Sequence, residues 1–510
     1  MTRRRRLVLA AVVGVVSAAV VLAVAEVVSL FVAPGASPIV AVGGLAIDLA
    51  PAWVKDVAIA LFYTADKIAL LVLLGILVVV LAAGIGVLHL VRPPWGFAGL
   101  AAVALVASLA ATTRAEATGA WALPSVVGAV VGVVVLHYGI RRLTGWTEAT
   151  PLTEGVSRRA FIGYVVATAG AATLVGVASR MVNATTATVT RLRDAITIPA
   201  PTVAAAPIPA GAELGIDGLA RVVTPNADFY RIDTALQVPS VNADEWRLHV
   251  TGMVEQEVEI GFDELLALPL LETAVTLTCV SNEVGGGLIG NAVWVGYPIR
   301  EVLKRARPLA GADMVLSRSI DGFTASTPLP VLQDDRDAIL AVAMNGEPLP
   351  LEHGFPVRMV VPGLYGYVSA TKWVTELELT TFEDQTAYWT DRGWSERGPI
   401  KTSSRIDVPA QNAAVDAGTV VVAGVAWAQH TGIDVVEVRV DGGPWQEATL
   451  ADAISIDTWR QWRWEWDAEP GSHTIEVRAT DADGETQSGA EVGTVPDGAE
   501  GWHRVEVGVR

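Results

Sequence analysis

Long apolar segments with few charges dominate the first 180 residues of the chain. Five of them are long enough, or nearly so, to cross the hydrocarbon core of a bilayer, which takes about 20 helical residues. They lie at about 7–33, 68–91, 95–112, 119–140 and 160–179. Segment 38–63 contains Asp48, Lys55 and Asp56, and we interpret it as an interfacial or re-entrant piece rather than a sixth span. The pattern predicts an α-helical membrane bundle over residues 1–180.

The pattern then changes to short runs of mixed type over residues 223–408. Runs such as WRLHVTG, TAVTLTC and VTELELT have the features of strands, whereas FDELLALP and PIREVLKRAR have the three-and-four apolar spacing of helices. These runs predict an α+β domain. The preceding segment 181–222 is rich in Ala, Thr and Pro and has no sustained apolar period, which is typical of a linker or of a strap over a domain surface.

Residues 409–510 consist of alternating strand-like runs without a notable helical stretch. Examples are TVVVAGVAWA, VVEVRVDGG and HTIEVRATD, and Gly, Asp and Pro turns separate them. DGGPW is typical of a hairpin turn. We therefore predict a C-terminal Ig-like β-sandwich. The whole chain is expected to be multi-domain: a helical bundle, an α+β domain and this sandwich.

Charge divides the chain in the same place as hydropathy. Residues 1–180 carry 13 Lys or Arg and 7 Asp or Glu, a net charge of +6. Because the whole chain has a net charge of −18, the remaining residues carry −24. An acidic surface repels phosphates, and we therefore expect no nucleic-acid partner. The acidic part is expected to be soluble.

Basic residues also predict how the bundle is oriented. RRRR at 3–6, Arg92 and the loop from Arg141 to Arg159, which holds four arginines, should stay cytoplasmic. Five crossings then place everything after about residue 180 outside the cytoplasm. We expect a multi-pass protein of the cell membrane, in contact with the lipid bilayer, whose catalytic domain is extracytoplasmic. A sixth crossing would reverse that orientation.

Two polar features accompany the apolar segments. SRRAFIG at 157–163 resembles a twin-arginine export signal, although Arg158 and Arg159 also serve as positive-inside anchors. His89 and His137 lie near the cytoplasmic ends of the second and fourth segments. They are typical of interfacial residues with a hydrated tip, and ligation of a haem is the alternative.

Cys279 in TLTCVSNEVGGG is the single cysteine among 510 residues. It cannot form an internal disulfide or a Cys-rich metal site. Three roles remain open on these grounds: an inert buried thiol, a catalytic nucleophile, or one thiolate ligand to a metal held mainly by another group.

A second segment, MNGEPLPLEHGFPVRMVVPGLYGYVSATKW, places His353, Arg358 and Lys372 among glycines and prolines. Arg has a planar fork that matches phosphate, and glycines let backbone N–H groups approach an anion. No Walker or dinucleotide motif is present. A thiolate together with a phosphate-binding set suggests a metal carried by a phosphorylated organic cofactor.

On these segments, residues 223–510 resemble the sulfite oxidase family of molybdenum enzymes, in a membrane-anchored bacterial branch. TLTCVSN resembles the family's molybdenum-binding segment, and the segment around His353 and Arg358 resembles its pterin-binding segment almost end to end. WQEATLAD, DTWRQWRWEWDAEPGSHTIEVRATD and DGAEGWH resemble its C-terminal sandwich, which in relatives commonly serves dimerisation, so a homodimer is one expectation.

The resemblance implies a molybdenum–molybdopterin cofactor (Moco) and names its ligands. Cys279 would be the catalytic thiolate ligand to molybdenum, and His353, Arg358 and Lys372 would hold the pterin and its phosphate. The other cofactor-binding residues that it implies are Asn226, Tyr230, Arg231, Asp321, Ser369 and Thr371.

The resemblance also implies a molybdopterin-dependent oxidoreductase that carries out two-electron oxygen-atom transfer. Two family residues are absent, because Val284 stands where relatives have an arginine and Phe323 where they have a tyrosine. Sulfite is therefore less favoured, and a sulfoxide or another S- or N-oxo compound is at least as suitable a small-molecule substrate. Arg392, Arg397, Lys401 and Arg405 supply positive charge either to the site or only to the surface. Electrons must leave through an unidentified partner, and the alternative function is a catalytically silent membrane-anchored binding or assembly protein.

Overall fold

The computed structural model describes residues 1–51, 66–114, 117–149, 154–183 and 193–510, together with positions 54 and 57. The chain divides into two compact units. The first comprises Met1–Thr188 with Thr234–Val238, and the second comprises Val189–Asp233 with Pro239–Arg510.

The first unit is helical, as the apolar segments predict. Among the described residues, five helices are long and apolar enough to cross a membrane, which agrees with the five predicted segments. The helices of this unit are α1 Arg3–Val32, α2 Pro38–Leu49, α3 Asp66–Val91, α4 Pro93–Thr112, α5 Leu123–Thr147 and α6 Glu154–Asn183.

The first part of segment 38–63 forms the short helix α2, which packs against the end of α4. Ala41 of α2 lies in one buried cluster with Ala110 and Ala111. Just beyond the end of α4, Arg114 forms an ion pair with Asp48 at 3.0 Å. Lys55 and Asp56 lie outside the described residues, so the structure does not test how segment 38–63 meets a membrane.

Helix α1 is the centre of the helical unit and packs against α3, α5 and α6. Its closest approach is to α3, where Gly14 faces Gly86. A Cβ on Gly86 would lie 2.1 Å from the carbonyl oxygen of Ala10, and one on Gly14 would lie 2.0 Å from that of Ala82. Small residues let two helix backbones come this close, which is how apolar helices associate in lipid.

In the second unit, the α+β part contains two sheets. One is mostly antiparallel with the strand order β2-β1-β10-β5-β6, and the other is antiparallel with the order β3-β4-β7-β8 and β9 beside β7. The predicted helices are present as α7 Phe262–Ala267 and α8 Ile299–Ala306, and α9 spans Leu329–Gln333. The strands are β1 Arg247–Gly252, β2 Val258–Gly261, β3 Leu271–Thr278, β4 Ile289–Pro298, β5 Met314–Ser319, β6 Thr324–Pro328, β7 Ile339–Met344, β8 Glu347–Pro348, β9 Arg358–Val360 and β10 Val374–Thr380.

The C-terminal part is a sandwich of two sheets, with strand orders β11-β13-β17-β16 and β12-β19-β18-β14-β15. Alternate residues of both sheets meet in one core, with Trp462 and Val438 fully buried. The segment DGGPW joins β14 to β15 as the predicted hairpin. The strands are β11 Ser403–Val408, β12 Ala413–Val415, β13 Gly418–Trp427, β14 Ile433–Val440, β15 Gln446–Glu447, β16 Thr449–Leu450, β17 Arg460–Ala468, β18 Gly471–Asp481 and β19 His503–Val509.

The contact between α1 and α3 generates the first prediction. Gly86→Ala should lower the midpoint of thermal unfolding of the helical unit in detergent, because overpacking of a tight contact costs about 1–3 kcal/mol. Gly84→Ala is the matched control, since nothing lies within 4 Å of a Cβ at that position on the same helix. A Gly86→Ala protein that melts together with the control would contradict the close approach of the two helices.

Candidate active site

Cys279 follows the last residue of β3 and begins the loop that leads into β4. Its N–H donates to the carbonyl of Leu288 at 2.9 Å, and its own carbonyl accepts from the N–H of Asn282 at 3.0 Å. The Asn282 side chain closes the loop by accepting the N–H of Leu288 at 2.8 Å. These bonds fix the start and the end of the loop to each other, so the thiol is held at a rigid strand end.

Residues of the β-sandwich contact β3 and the loop that begins at Cys279. Gln429 donates from Nε2 to the hydroxyl of Thr278 at 2.8 Å, one residue before the cysteine. Arg405 donates to the carbonyl of Gly286 at 2.8 Å, and the ring of His503 packs on Gly285, where a Cβ would lie 2.2 Å from it. The position of Cys279 therefore depends on the sandwich as well as on its own sheet.

The Cys279 side chain is buried and free of any disulfide. Burial raises the pKa of its thiol, although hydrogen bonds to Ser281 oppose that effect. A raised pKa is not the property of a self-activated nucleophile, which needs a cation or a helix terminus nearby. A bound metal ion, in contrast, deprotonates a coordinating thiol directly.

Tyr230 connects the cysteine electrostatically to the basic segment. Burial raises the pKa of its phenol strongly, the Cys279 thiol raises it further, and the Arg358 guanidinium opposes both effects. Gly366 lies beside this group, because a Cβ there would be 3.8 Å from the carbonyl oxygen of Thr278 and 4.0 Å from the Tyr230 hydroxyl. The two segments singled out by sequence thus meet around Tyr230.

Arg358, at the start of β9, is a buried cation without an acidic partner. It is only 5% exposed. Its guanidinium donates to the carbonyls of His353 at 3.1 Å and Ala370 at 3.4 Å and stacks over Trp294 at 5.1 Å. Among the described residues no carboxylate lies within ion-pair distance of it, and burial lowers its pKa to about 10. A buried charge of this kind is costly until an anion joins it.

His353 lies next to this guanidinium in a neutral form. Burial lowers the pKa of its imidazole to about 4, and Arg358 and Lys372 contribute to the lowering. Its Nε2 is 3.1 Å from the carbonyl oxygen of Asn226, which only accepts, so Nε2 carries the proton and Nδ1 keeps a lone pair. Phe229 packs edge-on against the ring at 5.5 Å.

Lys372 has an acidic partner from a distant part of the chain. Its Nζ lies 2.8 Å from Asp233, whose side chain is 3% exposed, and it also donates to the carbonyl of Glu352 at 3.0 Å. Burial lowers the pKa of the ammonium to about 8, and Asp233 opposes that effect. Arg231 binds the same carboxylate at 2.8 Å. One carboxylate thus serves two cations, and the group keeps an excess of positive charge.

Asn226 supports the basic segment from the strap side. Its amide donates to Glu347 at 2.6 Å and accepts from Asn345 at 2.8 Å. The second oxygen of Glu347 pairs with Arg193 at 3.0 Å. Arg193 lies in the segment predicted as a linker or strap, so part of that segment is fastened to the loop that precedes His353.

Three predicted residues use their side chains internally. Ser369 donates to the carbonyl of Tyr365 at 2.9 Å, and Thr371 shares a hydrogen bond of 2.7 Å with Ser317. Both are fully buried. Asp321 accepts the N–H of Phe323 at 3.2 Å in the β5–β6 turn, which is joined to the basic segment where Ile320 donates to the carbonyl of Trp373 at 3.0 Å. Their contact with a cofactor stays a prediction.

Sequence reasoning missed three residues of this region: Asp233, Trp294 and Gln429. Asp233 ends the segment NADFYRID, and only the need of buried Lys372 for a counter-ion points to it. Trp294 and Gln429 belong to strands and loops whose pattern is that of a core. They become functional candidates only once the fold places them against Arg358 and Thr278.

The donor set fits a cofactor that brings both a phosphate and a metal. The excess positive charge of Arg358 and Lys372 suits a phosphate, and the donors are preorganised by carbonyls and a tryptophan face. Among the described residues no group of three or more His, Cys, Asp or Glu forms a metal-ligand set. A metal bound by Cys279 would therefore take its other ligands from the cofactor that carries it.

Fold and site together define an oxidoreductase domain that binds an organic metal cofactor, fused to an Ig-like sandwich. The family described as oxidoreductase molybdopterin binding domain matches residues 235–389, and the bacterial Ig domain family matches residues 403–477. Residues 235–389 thus carry a molybdopterin-dependent oxidoreductase domain, whose cofactor class is molybdenum–molybdopterin and which is similar to that of the sulfite oxidases. The sequence-based resemblance is confirmed at this level.

Individual relatives agree with this assignment. Mitochondrial sulfite oxidase of Mus musculus is 31% identical over 288 residues, which cover 47% of this chain and 52% of the relative. Inducible nitrate reductase [NADH] 1 of Glycine max is 32% identical over 180 residues, 30% of this chain and 20% of the relative. The chain spans about half the length of the sulfite oxidases that it matches.

One solved structure shares the fold. The sulfane dehydrogenase SoxCD from Paracoccus pantotrophus matches with a TM-score of 0.50 and 22% sequence identity, covering 56% of this chain and 83% of that chain. At this identity the likeness shows the fold alone.

His503 generates a prediction on pH. Burial lowers the pKa of its imidazole to about 4, and Arg405 contributes. The imidazole of the unfolded chain titrates near pH 6.5. Between about pH 6.5 and pH 4 the unfolded state therefore binds a proton at this residue, whereas the folded state does not. Stability should therefore fall as the pH falls through this window, by about 2 kcal/mol between pH 7 and pH 5 for this group.

The variant His503→Asn keeps an acceptor for the N–H of Ile406, which now bonds to Nδ1 at 2.9 Å, and removes the titration. Guanidinium unfolding of the wild type and the variant at pH 7 and pH 5 measures the difference. An equal loss of stability in both proteins would contradict the buried neutral state of His503.

Proposed function

We propose that this protein is a membrane-anchored, extracytoplasmic molybdenum oxidoreductase that transfers one oxygen atom and two electrons to or from a small S- or N-oxo compound. The observation that carries the proposal is the close approach of the basic segment to the end of the cysteine strand: a Cβ on Gly366 would lie 3.8 Å from the carbonyl oxygen of Thr278 and 4.0 Å from the Tyr230 hydroxyl, and buried Arg358 donates to the carbonyl of Ala370 in the same segment. A thiol and an uncompensated guanidinium at these positions are what a phosphorylated metal cofactor requires.

The proposed roles follow from the contacts of each residue. Cys279 holds the metal from the end of β3, and Arg358 with Lys372 holds the phosphate. Neutral His353 offers the Nδ1 lone pair to a donor on the pterin, since Nε2 is committed to Asn226. Asn226, Tyr230 and Arg231 form the wall on the strap side.

Asp321, Ser369 and Thr371 complete the proposed cofactor set. The hydroxyls of Ser369 and Thr371 already bond within the protein, so these two residues contribute the shape of the loop. The bound cofactor would supply the exchange of two electrons. In the reducing direction the S–O or N–O bond of the substrate breaks, two electrons and two protons are taken up, and water leaves.

The charges around the cysteine favour a substrate without net charge. Lys401 is neutralised by Asp497 at 2.9 Å and Glu500 at 2.8 Å, and Arg405 by Asp407 at 2.6 Å. Binding a dianion such as sulfite rewards cations that are free to pair, at about 1.5–3 kcal/mol for each charged hydrogen bond. Lys401 and Arg405 are already paired, so a sulfoxide or an N-oxide is the better-matched class.

Of the other two cations that the sequence suggested, Arg397 is exposed and Arg392 is half-buried. Arg397 is 59% exposed and pairs with Glu396 at 3.6 Å. Arg392 stacks over Tyr388 at 3.6 Å. The surface interpretation is therefore the better supported one for Arg397.

The alternative proposal is a catalytically silent binding or assembly protein that keeps the fold. The burial of Cys279 within a loop closed at both ends favours an enzyme, because a protein without turnover has no need to present a thiol beside a phosphate-binding group. Measuring the molybdenum content of the purified protein distinguishes the enzyme from the silent binding or assembly protein.

Placement at the membrane follows from the five apolar helices and the arginines beside them. With the N-terminus in the cytoplasm, the molybdopterin domain over residues 223–408 and the sandwich over 409–510 lie outside. Electrons pass to or from a partner that we expect to be linked to the quinone pool. The sandwich offers a surface for a homodimer, as in the resemblance on which this proposal rests.

Cofactor analysis of two variants tests the proposed site. In Cys279→Ser the metal loses its protein ligand while Arg358 still binds the pterin phosphate, so we expect molybdenum to fall to background and the pterin to be retained. In Arg358→Met the anion loses its buried partner, so both should be lost. Molybdenum is measured by mass spectrometry and pterin by the fluorescence of its oxidation product.

The wild type is the reference for both variants and should contain molybdenum and pterin in equal amounts. Wild-type protein without either component, after expression in a host that makes the cofactor, would contradict the proposal. Equal molybdenum content in the wild type and in Cys279→Ser would show that Cys279 is not a ligand to the metal.

The export route is tested with arginine-to-lysine pairs. Arg158→Lys with Arg159→Lys keeps the positive charge that orients the helix but removes the twin-arginine signal, so we expect the soluble unit to stay inside the cell. Arg141→Lys with Arg142→Lys is the matched control and should leave export unchanged. Protease accessibility of the sandwich in spheroplasts measures the result. Normal exposure in the first pair would show that these arginines only orient the helix.

A further inference from the structure

Arg193 lies at the start of the described part of the strap segment, and residues 347–349 hold its guanidinium. Its Nε donates to the carbonyl of Leu349 at 2.9 Å, and a terminal nitrogen donates to the carbonyl of Pro348 and pairs with Glu347 at 3.0 Å. The side chain is only 13% exposed. Because the planar fork of an arginine serves several acceptors at once, this one side chain fixes three successive residues.

Glu347 connects Arg193 to Asn226. Its other carboxylate oxygen accepts from Nδ2 of Asn226 at 2.6 Å, and the same Nδ2 donates to the carbonyl of Met344 at 3.3 Å. Oδ1 of Asn226 accepts from Asn345 at 2.8 Å. A rotated amide would place its oxygen against the carboxylate, so these bonds hold the Asn226 side chain in one orientation and use it within the protein.

Both bonds of the Glu347 carboxylate are charge-assisted. Burial alone would raise the pKa of this carboxyl, but the hydrogen bonds from Asn226 and Arg193 outweigh burial and lower it. The group is therefore ionised at neutral pH, and hydrogen bonds to an ionised group are roughly twice as strong as those between neutral groups.

The main chain of Asn226 determines which nitrogen of His353 carries the proton. Its carbonyl oxygen only accepts and lies 3.1 Å from Nε2, so Nε2 is protonated and Nδ1 keeps its lone pair. A separation of about 3.6 Å is no longer a hydrogen bond, so a displacement of Asn226 by about 0.5 Å would release the imidazole. The tautomer of His353 thus depends on how firmly Asn226 is held.

We propose that Arg193 is a positioning residue for the cofactor, which holds Glu347 and Asn226 so that His353 presents Nδ1 as an acceptor. The inference rests on the proposed function, in which His353 binds the pterin. It adds a residue from outside the matched molybdopterin domain, which covers residues 235–389. Because a binding side chain keeps its orientation only when its own partners are fixed, loss of Arg193 should weaken retention of the cofactor.

Pterin release from the full-length protein loaded with its cofactor tests the inference. Arg193→Met should release pterin about tenfold faster than the wild type, because losing a charged hydrogen bond weakens binding by at least that factor. The variant should still fold, since the strap stays paired with the edge of β3: Thr202 donates to Leu270 at 2.7 Å, and Glu272 donates to Val203 at 2.8 Å. Release is followed by pterin fluorescence in guanidinium below the unfolding transition.

Arg300→Met is the matched control for this measurement. Arg300 also donates to two main-chain carbonyls, those of Arg336 at 2.8 Å and Asp335 at 3.4 Å, but it belongs to helix α8. This variant should release pterin at the wild-type rate. Equal acceleration in Arg300→Met and Arg193→Met would show a general loss of stability and would overturn the inference.

A double variant tests whether the residues act in series. Glu347→Ala should release pterin about as fast as Arg193→Met, and the two changes together should release it no faster than either alone, because members of one network are not additive. Multiplied effects in the double variant would show that Arg193 and Glu347 act independently and would contradict the proposal.

Nitrogen NMR of the full-length protein labelled in its histidines reports the tautomer of His353 directly and does not depend on turnover. The wild type should show a protonated Nε2 and an unprotonated Nδ1, whereas Arg193→Met should show both tautomers in exchange. His353→Gln assigns the signals among the seven histidines of the chain. A purely stabilising role of Arg193 would leave the tautomer as in the wild type.

The outcomes separate the inference from the proposed function. A loaded Arg193→Met protein with the wild-type release rate and wild-type His353 signals would overturn the inference while the proposed function stands. A wild type that contains neither molybdenum nor pterin would overturn the proposed function instead. The His353 signals of that protein would then still decide whether Arg193 positions the imidazole.

Discussion

The burial of one arginine without an acidic partner is the constraint on which this site depends. Arg358 is held by carbonyls and by the face of Trp294, and among the described residues no carboxylate compensates it. A cation buried without a partner destabilises the fold, and an anionic group that binds beside it offsets that cost. Lys372 has Asp233, but Arg231 shares that carboxylate. The site therefore keeps a positive charge that fits the phosphate of its cofactor class.

The position of the cysteine follows from where the strand ends. β3 is buried on both faces, and two of its threonines are bonded to residues of the sandwich: Thr276 accepts the N–H of Trp459 at 2.8 Å and Thr278 accepts from Gln429. The sandwich forms hydrogen bonds with the strand up to the residue before Cys279. These bonds restrain the position of the thiol along the strand axis. The C-terminal domain thereby acts on the active site directly, in addition to any part it plays in dimerisation.

Sequence patterns predicted most of the architecture because the period of the apolar residues differs between the parts. The five apolar helices, the α+β runs and the alternating strands of the sandwich each have a distinct spacing. The cysteine and the basic segment were found because rare residue types stand among glycines and prolines. Asp233 was missed because it pairs with a residue 139 positions away, and no local pattern records such a pairing.

Lys401 shows that the sequence can also suggest a role that the fold does not support. Lys401 has the composition of an anion-binding residue, yet Asp497 and Glu500 neutralise it, and only the fold reveals that they are its neighbours. In the sequence Tyr365 is one aromatic residue of a loop. The next residue, Gly366, brings this loop beside Thr278 and Tyr230, and only the folded structure reveals such a contact between distant segments.

Anomalous diffraction at the molybdenum edge, from crystals of the protein loaded with its cofactor, tests whether Cys279 binds the metal and Arg358 binds the phosphate. We expect an anomalous peak within bonding distance of Cys279 Sγ, and phosphate density against the guanidinium of Arg358. A molybdenum peak remote from Cys279, or a cofactor whose phosphate lies away from Arg358, would contradict it.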